Sequence, residues 1–354
     1  MLALKKEDSM TTTRPWLQFD EGIAAQSAGL TESVQKVREW LVTGAAESAK
    51  GKSLLFAGIG ASYAAAATPV YFLREAGIAA FRSSCADVPD EGSPLADIYV
   101  GISQGGRSRE TIQALLTVPR ERRMAVVNNS DSPLAGEAGA VLSVGDLLDS
   151  RMSSIGFTAT VSALGLLAEW ITTGTTDARW DNIGPLTEKV MAENDEVLRL
   201  FAGEIAERGT VDVVAAAPNL TSAEQGALLF REGPFVPSMA MDTRSYLHGP
   251  MDCAGPATAH VLFGREREGL LADQLSEKNV PILLITDDEE VTASATIIRI
   301  PQLTAVQRSV LEVALMQRLV QHTAEAFGRN IEDRAFTRYD TKVDSVRQVI
   351  DGTL

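Results

Sequence analysis

The stretch DIYVGISQGGRSRET, residues 97–111, decides how the chain is read. Its first half is a short continuous apolar run, and after a polar, glycine-rich turn the helix-like run TIQALL (111–116) follows. A strand buried on both faces, a turn at its carboxyl end and a helix form one unit of a parallel α/β sheet.

The same pattern recurs along the chain. Apolar strand candidates start at residues 53 (SLLFAGIG), 97 (DIYVGIS), 123 (RMAVVNN) and 140 (AVLSV), with helix-like stretches between them. A second set starts at 211 (VDVVAAA), 259 (AHVLFG), 280 (VPILLITD) and 295 (ATIIRI), giving offsets of 158, 162, 157 and 155 residues from the first. An order repeated at a near-constant spacing predicts two tandem doubly wound domains with parallel sheets. The expected boundaries are a leading segment and helix over 1–35, a first domain over 36–175, a connection over 176–200, a second domain over 201–330 and a polar tail over 331–354.

Composition excludes several classes. With 47 acidic against 32 basic side chains the formal charge is −15, which repels polyanions such as nucleic acids. A small anion remains admissible where local amides and hydroxyls outweigh distant charges, which salt screens beyond ~8–10 Å. Two cysteines, Cys85 and Cys253, and three histidines form no disulfide framework and no metal-type spacing, so no metal or cofactor is expected and a reducing cytoplasm fits. Charges at Lys5, Lys6, Glu7 and Asp8 interrupt any signal-like apolar core, and Met10 offers an alternative start. The longest mostly apolar stretch, TATVSALGLLAEWI (158–171), contains Ser162 and Glu169 and falls short of the ~20 residues of a membrane helix.

Ligands of open parallel sheets collect at the carboxyl ends of strands, where helix amino termini present free N–H groups. Two loops of the first half lie there. GIGASYAAAA (58–67) puts Ser62 at a helix start, and SQGGRSRET (103–111) gathers Ser103, Gln104, Ser108 and Thr111 around Gly105 and Gly106. GIGASY lacks the third glycine of a dinucleotide fingerprint, since Tyr63 stands in its place. GISQG fits the serine-hydrolase elbow G-x-S-x-G, but no HGGG-type oxyanion loop accompanies it. Ser108 is also placed to cap the helix that follows.

In the second half, Ser222 and Gln225 match a helix capping box, and Gly233-Pro234 stops the helix so that Glu232 falls in its last turn. A carboxylate at the negative end of the dipole is unfavourable by ~0.3–1 kcal/mol, and is either compensated by a neighbour such as Arg231 or poised as a base. His248 follows sixteen residues later beside Gly249-Pro250, whereas His260 abuts the strand VLFG and His322 sits in a helical run.

Together these segments resemble the sugar isomerase (SIS) family, in particular its tandem-domain members related to the isomerase half of glucosamine-6-phosphate synthase. FDEGIAAQ (19–26) is similar to the family's leading E-I-x-x-Q-P, SQGGRSRET to S-x-S-G-x-S/T-x-E-T, QGALLFREGPFVPSMAMDTRSYLHGPM (225–251) to EGALKLKE…LKHGPL, and TRYDTK (337–342) to a closing R-N-L-A-K. The resemblance implies phosphate binding by Ser62, Ser103, Gln104, Gly105, Ser108 and Thr111, and Glu232 as the base moving a proton between C1 and C2. It further implies His248, donated by a second subunit of a homodimer, for ring opening, and Lys342 on the open-chain carbonyl. The implied activities are aldose/ketose isomerisation or deamination of an amino sugar phosphate, with cleavage of fructosamine phosphates or non-catalytic sensing as alternatives. Gly105 replaces the family's second serine, and Leu229 and Leu247 stand where the synthase has lysines. With Cys85 internal, glutamine-dependent ammonia transfer is not expected.

Overall fold

The computed structural model describes residues 15–90 and 93–352. The stretch containing Lys5 to Asp8 and Met10 lies outside them. The apolar runs of the first half form β1 (Leu54–Gly58), β3 (Ile98–Ile102), β4 (Arg123–Val127) and β5 (Ala140–Ser143), joined by β2 (Ala80–Ser84). The second half supplies β6 (Thr210–Ala215), β7 (Ser238–Asp242), β8 (Thr258–Phe263), β9 (Ile282–Thr286) and β10 (Thr296–Arg299). All ladders are parallel, with orders β2-β1-β3-β4-β5 and β7-β6-β8-β9-β10, so the second sheet repeats the first. This is the tandem doubly wound α/β architecture expected from the repeat.

Two strands escape a search for apolar runs. β2 (AFRSS) and β7 (SMAMD) each have one buried residue followed by partly exposed ones, because each lies at an edge of its sheet and packs on one face only. β1, β3 and β9, with neighbours on both sides and helices above and below, are buried at every position.

The leading helix is broken into Phe19–Ala24 and Gln26–Leu41, and the connection between the halves is mostly helical, from Ile183 to Arg208. Two long helices, Ile155–Thr173 and Ile183–Arg208, end on left-handed glycines, Gly174 and Gly209, whose N–H groups close the last turn. Ile155–Thr173 is the single helix among the described residues with the length and apolarity of a membrane span, and it is packed inside the fold.

The halves share their cores. Helix Ala305–Ala326 places Val306, Val310 and Val313 among the first-half residues and Leu311, Leu315 and Leu319 among those of the second half. Phe19 and Ile23, from the start of the chain, complete the second core. Order reverses between β1 and β3 in the first sheet, and the loops leaving those two strands are the ones singled out above.

Candidate active site

The loop after β3 is built by hydrogen bonds to its own turn. Gly106 N–H donates to the Ser103 carbonyl at 2.9 Å, and Gly106 has φ +62°, with Ser132 Oγ only 2.0 Å from where a Cβ would stand. Only glycine fits there. Gly105 is exposed and faces open space. Ser103 is buried and donates to Ser108 Oγ at 3.1 Å. Gln104 Nε2 donates to Asp149 Oδ2 at 2.5 Å, and Asp149 also accepts from Ser153 Oγ, Ser154 N–H and Ser154 Oγ. Burial pushes the Asp149 carboxyl up, against the pull of those donors. Ser62 lies half-buried in the short helix Ala61–Ala65 after β1. Thr111 is fully buried in the first turn of helix Arg109–Leu116, its hydroxyl 3.5 Å from Cys85 Sγ, whose thiol burial raises to about 11.

Ser108 takes the N-cap position of that helix without making a side-chain cap bond, contrary to expectation. Its oxygen is engaged elsewhere, accepting from Ser103 and from Lys342 Nζ at 3.0 Å. The polar tail is thus a strap laid on the loop. Ser108 and Lys342 form an antiparallel bridge, Val343 N–H donates to the Arg107 carbonyl at 2.9 Å, Arg107 pairs with Asp344, and Arg109 pairs with Asp340 at 2.7 Å. Val343 anchors the strap in the apolar layer under the loop, with Ile112 and Leu115. Partial desolvation lowers the pKa of Lys342; Glu110 opposes this, and Arg338 and Arg107 reinforce it.

Glu232 ends helix Leu220–Glu232. The expected capping box does not form, because the helix starts earlier, at Asn219 as N-cap, and Ser222 Oγ donates instead to Glu312 at 2.5 Å. The helix packs on Ala61–Ala65, with Leu228 Cδ2 3.8 Å from a notional Cβ on Gly60. Glu232 Oε1 accepts from Arg338 Nη2 at 2.8 Å, so the partner is Arg338 rather than the neighbouring Arg231. That guanidinium adds positive charge at the negative end of the helix dipole, beside Arg231 in the last turn. One strap therefore carries Arg338 on the second-half carboxylate and, four residues later, Lys342 on the first-half serine. Arg334 is held below the usual arginine pKa by desolvation and by Arg151 and Arg338, with Glu232 opposing.

His248 is not brought into this group. It is exposed at the end of the short helix Thr243–Leu247, and its imidazole makes no hydrogen bond among the described residues. The other histidines have partners in the fold: His260 bonds Tyr246 at 2.9 Å, and His322 bonds Asp195 at 2.9 Å.

Among the described residues, the corresponding end of the second sheet is occupied by its own side chains. Where the first half has the open β3 loop, Arg265 pairs with Asp287, and Glu268 turns back to accept from Arg265 N–H at 2.9 Å, filling the helix amino terminus with its own carboxylate. Asp287 also holds Arg308, which pairs with Glu312, and Glu312 accepts from Asn219 at 2.6 Å and Ser222. These side chains satisfy one another. Among the described residues, no three or more His, Cys, Asp or Glu side chains are grouped to hold a metal ion.

No protein-family model and no curated protein matches the chain. Solved structures do. The C-terminal domain of glucosamine-fructose-6-phosphate aminotransferase from Francisella tularensis matches with TM-score 0.78 at 17% identity, over 89% of this chain and 98% of that one. Glucosamine-6-phosphate deaminase from Thermotoga maritima matches with TM-score 0.73 at 16% identity, over 90% and 98%. Tagatose-6-phosphate ketose/aldose isomerase from Escherichia coli matches with TM-score 0.74 at 13% identity, over 94% and 99%. The chain has the tandem sugar isomerase fold.

Within that sugar isomerase fold, sequence reasoning missed Asp149, which fixes Gln104, and Arg338, which holds Glu232. Arg338 stands in the same run as Lys342, yet nothing local marks it, since its partner lies 106 residues away.

Proposed function

We propose that this protein is a phosphosugar isomerase or amino-sugar-phosphate deaminase of the cytoplasm, acting as a homodimer. The observation that carries the reading is the strap, which joins Lys342 to Ser108 in a loop of hydroxyls and amides and, four residues earlier, Arg338 to Glu232 of the second half. Ser62, Ser103, Ser108, Gln104 and the free amide of Gly105 would receive the phosphate, with Thr111 holding the first helical turn beneath them. Glu232 would carry the proton between C1 and C2, and Lys342, released from Ser108, would meet the open-chain carbonyl. His248, exposed on its own subunit, would be supplied to the site of a second copy and assist ring opening.

A binding-only sensor is the second reading, favoured by the engagement of both Glu232 and Lys342 within the chain. One experiment separates the two. The protein is incubated in D2O with hexose 6-phosphates, hexosamine 6-phosphates and their unphosphorylated sugars, following deuterium entry at C2 and ammonia release. Exchange confined to the phosphates supports the enzyme, binding without exchange supports the sensor, and indifference to the phosphate group rejects both.

A further inference from the structure

A connected line of polar side chains crosses the interior of the fold and surfaces at the β3 loop. Thr158 Oγ1 donates to Gln26 Oε1 at 2.5 Å, Gln26 Nε2 to Gln317 Oε1 at 2.6 Å, and Gln317 Nε2 to the Ser154 carbonyl at 3.0 Å. Ser154 N–H and Oγ each donate to Asp149 Oδ1 at 3.0 Å, and Asp149 Oδ2 accepts from Ser153 Oγ at 2.7 Å and from Gln104 Nε2. Thr158, Gln26, Gln317, Ser154 and Asp149 are buried, whereas Gln104 and Ser153 are partly exposed. Polar groups inside a fold cost stability unless each finds a partner, and a fully paired line rigidifies what it ends on. It also accounts for Gln26, the last residue of the leading segment FDEGIAAQ, to which the function proposed above gives no part.

A carboxylate beside a phosphate cradle needs a reason, because on its own it would repel the ligand. Asp149 is 3% exposed and lies just before the 19-residue helix Ile155–Thr173, where its four donors and the positive end of the dipole spread its charge. Close approach is built into the backbone. A Cβ on Gly156 would stand 2.3 Å from Asp149 Oδ2 and 2.8 Å from Gln104 Nε2, so a side chain there would force the pair apart. With one N–H of Gln104 committed to the carboxylate, in a bond stronger than one between neutral groups, the other N–H and the carbonyl oxygen of that amide have a fixed orientation.

We propose that Asp149 is a positioning residue, holding the Gln104 amide in the orientation that meets the phosphate, and that the buried line through Ser154, Gln317 and Gln26 ties this orientation to helix Ala305–Ala326, which both halves share. The assignment rests on the function proposed above and adds the residue through which Gln104 acts. Asp149 itself touches no ligand.

The test is a double-mutant cycle, read by calorimetric titration of fructose 6-phosphate and of inorganic phosphate into the full-length protein. Gln104→Ala and Asp149→Asn are each expected to weaken both probes by about tenfold, the worth of one charge-assisted hydrogen bond. In the double variant the loss is expected to stay within about twofold of Gln104→Ala alone, because Asp149 then has no amide to hold. Gly156→Ala keeps both groups and displaces them, and is expected to reproduce the loss. Thermal melting checks folding, and where Asp149→Asn does not fold Gly156→Ala takes its place in the cycle. Unchanged affinity in the folded variant, or losses that multiply to about a hundredfold in the double variant, overturns the assignment and leaves the proposed function standing. Failure of the natural protein to bind either probe removes both.

Discussion

Lys342 and Ser108 are 234 residues apart in sequence and 3.0 Å apart in space. The contact holds the carboxyl-terminal strap against one side of the loop after β3, and it competes with any ligand that needs the Ser108 oxygen or the lysine ammonium. Lys342→Ala is expected to leave the sheets intact, because Val343 still anchors the strap, and to lower turnover of a phosphosugar by at least ~100-fold while changing its binding by far less. Steady-state kinetics beside calorimetric titration check this split.

Glu232→Gln removes the proposed base and keeps the shape. Deuterium incorporation at C2 is expected to fall by ~10²–10⁴-fold with binding retained. Turnover equal to that of the natural protein would show that another group carries the proton.

The two glycines of the loop should behave oppositely. Gly106→Ala meets Ser132 Oγ and a φ of +62°, and is expected to destabilise the fold by about 1–3 kcal/mol, seen as a lower urea midpoint. Gly105→Ser enters open space and adds a hydroxyl at the position where the similar motif carries a serine. Its stability should be unchanged and its phosphosugar affinity raised about two- to tenfold, the worth of one added hydrogen bond.

Replacing Glu312 by Ala takes one of its two carboxylate partners from Arg308 and leaves Asn219 and Ser222 without the acceptor they share in the interior of the second half. The loss of one partner from a buried ion network is expected to cost about 3–5 kcal/mol, measured by equilibrium denaturation, with no direct effect on the β3 loop.

His260 makes stability fall in acid. Burial lowers its pKa to about 4, so the folded state stays neutral while the unfolded chain begins to take up a proton near pH 6.5. Its contribution is whole above pH 6.5 and is lost as pH falls towards 4, a change of roughly 3 kcal/mol. Asp212, raised by burial with Tyr246 opposing, subtracts from this fall because the folded state takes up its proton first. Urea midpoints between pH 7 and 4 should slope downward, and His260→Gln should flatten that slope whatever its stability at pH 7.

The sheets were legible because strands with neighbours on both sides must be apolar throughout, and such runs repeat at a fixed spacing. The edge strands β2 and β7 were not, since one exposed face dilutes the apolar signal. Ser103, Gln104 and Ser108 stand out as candidates because a polar turn on a buried strand is anomalous. The partners of the site were illegible for a different reason: Arg338 on Glu232 and Asp149 on Gln104 are contacts between distant segments, and only the folded chain brings them together. The supposed capping box at Ser222 shows the converse error, where a local pattern loses to a buried carboxylate 90 residues away.

Helix Ala305–Ala326, with valines in one core and leucines in the other, couples the packing of the duplicated halves. A gene fragment ending after β10 would release two sheets each missing a wall, so neither repeat can be excised as an autonomous module. Calorimetry should accordingly record a single cooperative melting peak for the intact polypeptide.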